Sequence, residues 1–470
     1  MAALLADKGF AVTVFERNDF VGGKAANLEK DGFVCEAGIH VSVRGSNGPL
    51  GEVARRVGVD LKYVEPDPLM RIQTPSRTYR IPKRILGPKG LMNLALVAGV
   101  KPWNIPGVIR LFMQILRVKE ERDAVPYDSV SLQDFMLRYT ADEGVHRLVN
   151  LFSGWFFLLP KEEASAGEFL WSFASMVRSG SIGYPMGGYG QIPKSYLRAC
   201  EQKGGKVCLK EGVRSIRVER GKATGVVTEK GIFDADIVVS NAGIKKTIEL
   251  AGKELFPAPY LARAEKLRDS LGGVSIRYAL DQRPLDIPII LYLPEGFDFS
   301  RNVEMWSRGE VQDELPIFLL CPTLFDPSLA PPGKHILLIG TGVPADLSAS
   351  DLAEEVLDRI EQKTFKLLPG IEKHIIWKHR TNLASVSAMC GRGGGEIIGL
   401  AQSYDQVGKN KPDPHTPVEG LYLVGNDAGG RGVGTEEAAD SALKVANLIT
   451  RVTEQGADRA LKVAKPIGTR

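Results

Sequence analysis

Three short stretches carry the residue types that could do chemistry. The first is KGFAVTVFERNDFVGGKAA at residues 8–26, where Glu16 closes an alternating apolar run and Gly22, Gly23 and Lys24 follow. An acid at a strand end can accept hydrogen bonds from ribose hydroxyls, a Gly-Gly turn lets the main chain approach a pyrophosphate, and a lysine adds positive charge. Strands ending in Glu and Gly-Gly turns also occur in ordinary α/β proteins, so this stretch alone leaves both readings open. The second is GLYLVGNDAGGRGVGTEEAADSALKVANLI at 420–449. Its apolar run reads as a buried strand that ends at Gly425. Asn426 and Asp427 then stand at the strand's carboxyl edge, the glycines at 429–434 give room for a ligand, and Thr435 opens a helix whose N-terminus attracts electron-rich groups. The third is DGFVCEAGIHV at 31–41, where Glu36 and His40 follow a strand-like run. His40 suits either a place facing a redox centre or a structural hydrogen bond.

The elements that must position these residues are legible around them. Met1 to Lys8 are helix-forming, Gly9 stops that helix, and Ala11 to Phe15 alternate as a strand. Helix, turn, strand and acid are the latter half of a dinucleotide-binding βαβ unit, which opens with a strand and G-x-G-x-x-G about 20 positions before its acid. Counting back from Glu16 runs past Met1. The expectation is that Met1 is an internal methionine, that the first strand and glycine loop lie upstream, and that without them the sheet has a central slot.

The first stretch resembles the two-dinucleotide-binding-domain flavoproteins, whose pattern runs G-x-x-V-x-V-x-E, about five residues, then G-G-[RK]. The third resembles that group's G-[FY]-x-x-D-x-G-x-H, with Glu36 where Asp is usual, and YPMGGYGQIPKSYLRAC at 184–200 resembles its P-x-G-G-[MY]-x-x-[IL]-x-x-x-L. Together they look like a phytoene-dehydrogenase-related flavoprotein of the amine oxidase superfamily. The resemblance implies FAD, held by Glu16, Arg17, Gly22, Gly23 and Lys24, by the main chain at Val213 on the adenine, and by Gly425, Asn426, Asp427, Gly434 and Thr435. In that group an acid follows the strand's glycine. Asn426 stands in its place here, so Asp427 or a neutral amide must serve. The resemblance further implies a helix N-terminus aimed at the isoalloxazine carbonyl and a hydrophobic polyene or isoprenoid as substrate. No catalytic side chain can be named, because flavin carries the hydride chemistry. The electron acceptor is not legible either.

Composition bounds the rest. The 470 residues are 44% hydrophobic and 25% charged with 51 glycines, a globular make-up rich in turns. Sixty Lys and Arg against 56 acids give a net charge of +4, too balanced for nucleic-acid binding without a basic patch. Five dispersed cysteines without C-x-x-C spacing support neither a disulfide framework nor a zinc site, and no metal is expected. With no signal-like start, a cytoplasmic protein is expected. Residues 85–118 mix apolar runs with Lys89, Lys101, Trp103 and Arg110, which suits a peripheral membrane surface and buried cap helices equally.

The expected architecture is α/β: a Rossmann-like FAD-binding domain of glutathione-reductase type, discontinuous over 1–60, 185–270 and 380–470. An α+β substrate domain at 61–184 and 271–379 would carry a mostly antiparallel sheet from SIRYAL, IILYL, PIFLLCP and HILLIG and a helical cap. Residues 60–200 read as largely helical. Trp155, Phe156, Phe157 and Trp171 in the cap suit an aromatic core as well as the lining of a hydrocarbon pocket. Ser348 is a plausible N-cap for a helix ending at Leu368. Two other functions remain open: flavin amine oxidation, for which no Lys–water relay or aromatic cage is visible, and non-catalytic prenyl binding as in GDP-dissociation-inhibitor proteins.

Overall fold

The computed structural model describes residues 1–85 and 87–463. The N-terminal helix Ala2–Asp7 is short and nearly all apolar. It buries Ala3, Leu4, Leu5 and Ala6 against the helix Gln191–Gln202 and the long C-terminal helix Gly434–Val463. Gly9, at φ +84°, turns the chain into the strand Thr13–Phe15, which pairs in parallel with Lys206–Cys208. A second parallel pair joins Val238–Ser240 to Leu421–Leu423. Among the described residues these two pairs are not hydrogen-bonded to each other. Between them in sequence runs an antiparallel meander of Val213–Glu219, Lys222–Thr228 and Ile232–Asp234.

The second layer is a seven-stranded sheet in the order Ile375–Thr381, Gly272–Leu280, His335–Val343, Ile317–Leu320, Ile289–Tyr292, Met70–Gln73, Thr78–Ile81. All its pairings are antiparallel except Ile289–Tyr292 with Met70–Gln73. The central strands are buried on both faces, as their unbroken Ile, Leu and Phe runs require, with the helix Ser350–Leu367 packed on one face. Two expectations are corrected here. Residues 60–200 are not uniformly helical: MRIQ at 70–73 and TYRI at 78–81 form a hairpin on the sheet, too short for periodicity to distinguish from turn and helix. Ser348 does not cap the helix. It lies in a 3-10 turn whose cap is Asp346, which accepts from the Ser348 amide at 2.8 Å, and Ala349 precedes the α-helix.

The cap comprises the helices Pro88–Ala98, Ile105–Arg117, Leu132–Leu137, Glu143–Phe156 and Ala166–Ser179. Ser131, Asp142 and Ser165 cap the last three by accepting from Asp134, Val145 and Glu168 amides. Their inward faces form a separate core around Leu132, Phe135, Met136, Phe157, Phe169 and Leu170. Phe152, Phe156, Phe169 and Phe173 pack in a continuous run of stacked and edge-to-face contacts, with Phe169 and Phe173 centroids 4.2 Å apart. Trp155 extends the run to Phe318 of the sheet at 5.0 Å. No helix among the described residues is long and apolar enough to cross a membrane.

Candidate cofactor and substrate site

The strand Thr13–Phe15 delivers Glu16 to its carboxyl end, where the Glu16 amide donates to Cys208 O at 2.9 Å and its carbonyl accepts from the Glu211 amide at 2.9 Å. One carboxylate oxygen of Glu16 accepts from the Asn18 amide at 2.8 Å, which fixes the side chain at the strand end. Val213 begins the adjoining strand and packs in the same apolar cluster as Phe15. The two glycines differ. Gly22, at φ +106°, has Pro193 so close that a Cβ would lie 2.8 Å from its ring, whereas Gly23, at φ +52°, faces open space. Arg17 reaches the Ala388 carbonyl, Asn18 donates to Met389 O at 3.0 Å, and Lys24 donates to Glu396 O at 3.0 Å. The first motif therefore grips the segment 388–396. Lys24 is turned to that segment rather than held as a free cation, and burial pulls its pKa down.

At the second motif the side chains also turn inward. Gly425, at φ +103°, passes so close to Asn241 that a Cβ would lie 2.2 Å from its amide oxygen. Asn426 donates to Gly434 O at 3.0 Å and to Glu437 at 3.3 Å, bracing the start of the C-terminal helix. Asp427 is buried: one oxygen accepts from the Ile244 amide at 3.0 Å and the other lies 3.0 Å from Arg392, which also approaches Glu396 at 3.2 Å. The room expected along 429–434 is narrower than the glycines imply. Added Cβ atoms would lie 2.7 Å from Pro414 at Gly429 and 2.5 Å from Glu437 O at Gly430, so these glycines serve close packing. At Gly434, φ +57°, the nearest atom would be Ile398 Cγ2 at 3.9 Å. The open point is thus the helix start, where Gly434, Thr435 and Glu436 carry amides that no helix can pair internally.

Two buried charge networks hold this arrangement, and neither is visible in motif spacing. Arg431, within the glycine loop, pairs with Asp128 and approaches Glu168 at 3.5 Å, while the Gly432 amide donates to Glu168 at 2.6 Å. Lys411 pairs with Glu437 and donates to Gly430 O at 3.2 Å. Burial raises the Glu168 pKa, and it lowers that of Lys411 to about 8 despite nearby Glu168, Asp427 and Asp440. Glu436 accepts from Ser42 Oγ and the Arg44 amide at 2.9 Å and from Arg44 Nε at 2.5 Å, tying the helix start to residues 42–44. The second network surrounds Glu36, which accepts from Tyr184 OH and, at 3.1 Å, from the Tyr189 amide, while buried Arg277 donates to the Glu36 and Ala37 carbonyls. His40 lies 3.3 Å from Glu36 and stacks on Tyr189 at 4.7 Å, a structural placement. A carboxylate inside the apolar run SAGEFLW, at Glu168, was the one sequence signal that could have marked the first network.

Two surface clefts of about 320 Å³ each, one near Tyr260 and His415 and one near Lys62 and Met186, are lined by no residue of the stretches 8–26 and 420–449, although Met186, Gly187 and Gln191 of the stretch 184–200 line the second. The chemistry therefore rests on the convergent motifs. Parallel strands delivering an acid, a glycine facing open space and a half-buried helix start with unpaired amides fit a dinucleotide-binding protein. Residues 1–450 match the family described as flavin containing amine oxidoreductase, and the chain belongs to that family. As a member of that family it is expected to hold FAD. It is 32% identical over 268 residues to the chloroplastic prolycopene isomerase of Daucus carota, a match spanning 53% of this chain and 41% of that protein, so less than half the relative's length is covered. It is 26% identical to a zeta-carotene-forming phytoene desaturase of Myxococcus xanthus over 90% of this chain and 86% of that one. An oxidoreductase from Methanosarcina mazei, 23% identical, superposes with a TM-score of 0.74 over 94% of this chain and 96% of its own, which establishes a shared fold.

The residues present fit FAD. Gly23 and Gly434 face space that a Cβ would enter, Glu16 stands at the strand end, and the helix start offers amides to an electron-rich atom.

Proposed function

We propose that the protein dehydrogenates, saturates or isomerises a hydrophobic polyene of the isoprenoid class. The observation that carries this reading is the aromatic run of the cap. Phe152, Phe156 and Phe173 belong to the same apolar cluster as Val433, the residue before Gly434. An apolar chain lying along that run would end beside the helix start. Similarity to a prolycopene isomerase and a phytoene desaturase supports the same substrate class.

FAD, when bound, supplies two-electron redox chemistry at its ring. Glu16 would accept from its ribose hydroxyls, the main chain at Gly22 and Gly23 would approach its pyrophosphate, and Val213 would meet its adenine through backbone groups. Arg17 and Lys24 hold the segment 388–396 in place beside that site. Asn426 and Asp427 act through the framework, the first by bracing Gly434 and the second by holding Arg392 and the Ile244 amide. The amides at Gly434 and Thr435 would stabilise negative charge on a reduced ring. The apolar cap keeps water from the reacting carbon.

The test uses FAD-loaded protein under anaerobic conditions, offered linear polyenes in one series and primary amines in another. Bleaching of the visible flavin band with a desaturated polyene product, return of that band in pre-reduced protein with a saturated product, or isomerised polyene without net change in the band, is expected. Turnover of amines alone would replace this reading with flavin amine oxidation. Tight prenyl-lipid binding by a protein that retains no flavin would replace it with a non-catalytic carrier.

A further inference from the structure

The cap carries a face that the flavin site does not use. On the helix Ile105–Arg117, Ile105, Ile109, Met113 and Leu116 are exposed and fall within one narrow stripe, while Gly107 and Leu111 on the opposite side are buried. Met92 and Leu96 extend the apolar surface on the helix Pro88–Ala98, and Trp103 in the connection between the helices is 72% exposed. Large apolar side chains grouped in this way on a surface mark a contact with something apolar.

The charge pattern says what that is. Between residues 83 and 119 the sequence has seven Lys and Arg and no Asp or Glu, although acids nearly equal bases in the chain as a whole. Arg84, Lys89, Lys101, Arg110 and Arg117 are exposed, and on the second helix Arg110 and Arg117 line one edge of the apolar stripe. Lys101 lies over the Trp103 ring at 5.8 Å. An apolar stripe with a purely basic border and an exposed tryptophan matches a bilayer interface whose headgroups are anionic, the apolar side chains entering the acyl boundary and the bases meeting phosphates. A protein partner would have to be acidic and apolar in the same alternation, which a bilayer surface provides without further specification.

We infer that the helices Pro88–Ala98 and Ile105–Arg117 dock the protein on a membrane containing anionic lipid. The face is continuous with the substrate path of the preceding section: Val108 and Ile115, on the inward side of the docking helix, pack in the same apolar cluster as Phe152, Phe156, Phe173 and Val433. A lipid-soluble substrate could pass from the bilayer through this cluster without crossing water. The docking surface does not depend on the proposed reaction, since vesicle binding is measured without turnover.

Co-sedimentation of the full chain with vesicles of phosphatidylcholine alone, and of phosphatidylcholine with phosphatidylglycerol, tests it. Binding is expected to the mixed vesicles, weakened by salt. Lys101→Gln with Arg110→Gln should weaken it on the order of fivefold per charge, since an interfacial base contributes about 1 kcal/mol. Ile109→Ser with Met113→Ser should abolish it, with melting temperatures unchanged because all four positions are exposed. Brominated lipid should quench tryptophan emission, and Trp103→Phe should remove most of that quenching. Wild-type protein left in the supernatant with mixed vesicles would overturn the inference. So would binding indifferent to both double substitutions, or a dimer in light scattering that Ile109→Ser with Met113→Ser dissociates while vesicles are not bound.

Discussion

Gly23 and Gly434 are the residues at which side-chain bulk and cofactor would compete directly. Each combines a left-handed backbone, at φ +52° and +57°, with space rather than protein where a Cβ would go. Gly23→Val or Gly434→Val should therefore strain the backbone by about 1–3 kcal/mol and place a branched side chain in the cofactor's space. Both variants should lose FAD on gel filtration, read from the ratio of flavin to protein absorbance, and a stoichiometric flavin in Gly23→Val would refute the placement. Gly22→Val is a useful contrast, because there the clash is with Pro193 and the loss should be of stability as well as flavin. The turns at Gly23 and Gly434 and the strand end at Glu16 were legible because backbone alone decides them. The partners of Lys24, Asn426 and Asp427 were not. Those side chains are directed by Glu396, Glu437 and Arg392, which spacing within a motif cannot locate.

Between elements, the decisive contact is that of the cap helix Ala166–Ser179 with the glycine loop before the C-terminal helix. Glu168 takes the Gly432 amide, and Arg431 is buried between Asp128 and Glu168. Arg431→Met would leave two buried carboxylates facing each other without their cation. A loss of about 3–5 kcal/mol is expected, measured as a lower denaturation midpoint, together with weaker flavin retention because the loop that leads into Gly434 is no longer held. An unchanged midpoint would show that the pair is replaceable by apolar packing. The central strands were readable because their patterns are local, as in the unbroken apolar runs at 289–292 and 317–320. The hairpin at 70–81 escaped because the partner that makes Met70–Gln73 a strand lies more than 200 residues away, at Ile289–Tyr292.

For the molecule as a whole, cofactor binding and folding are linked, since the site is assembled from segments far apart in the sequence. FAD should raise the melting temperature with the logarithm of its concentration above Kd, by a stabilisation of about 2.7 kcal/mol at a hundredfold excess over Kd. A melting temperature insensitive to FAD would separate the site from the fold. The tie from Arg44 to Glu436 spans 392 residues, and those from Arg17 and Asn18 to the segment 388–389 span 371. At a synthesis rate of about 5–20 residues per second, the first motif leaves the ribosome roughly 20–80 seconds before its partner exists. Through that interval the apolar face of Ala2–Asp7 lacks the C-terminal helix that covers part of it, and the residues around Glu16 have no second half to close on. Flavin capture therefore waits until the segments around 388–396 and 436 have been made and can close on the first motif.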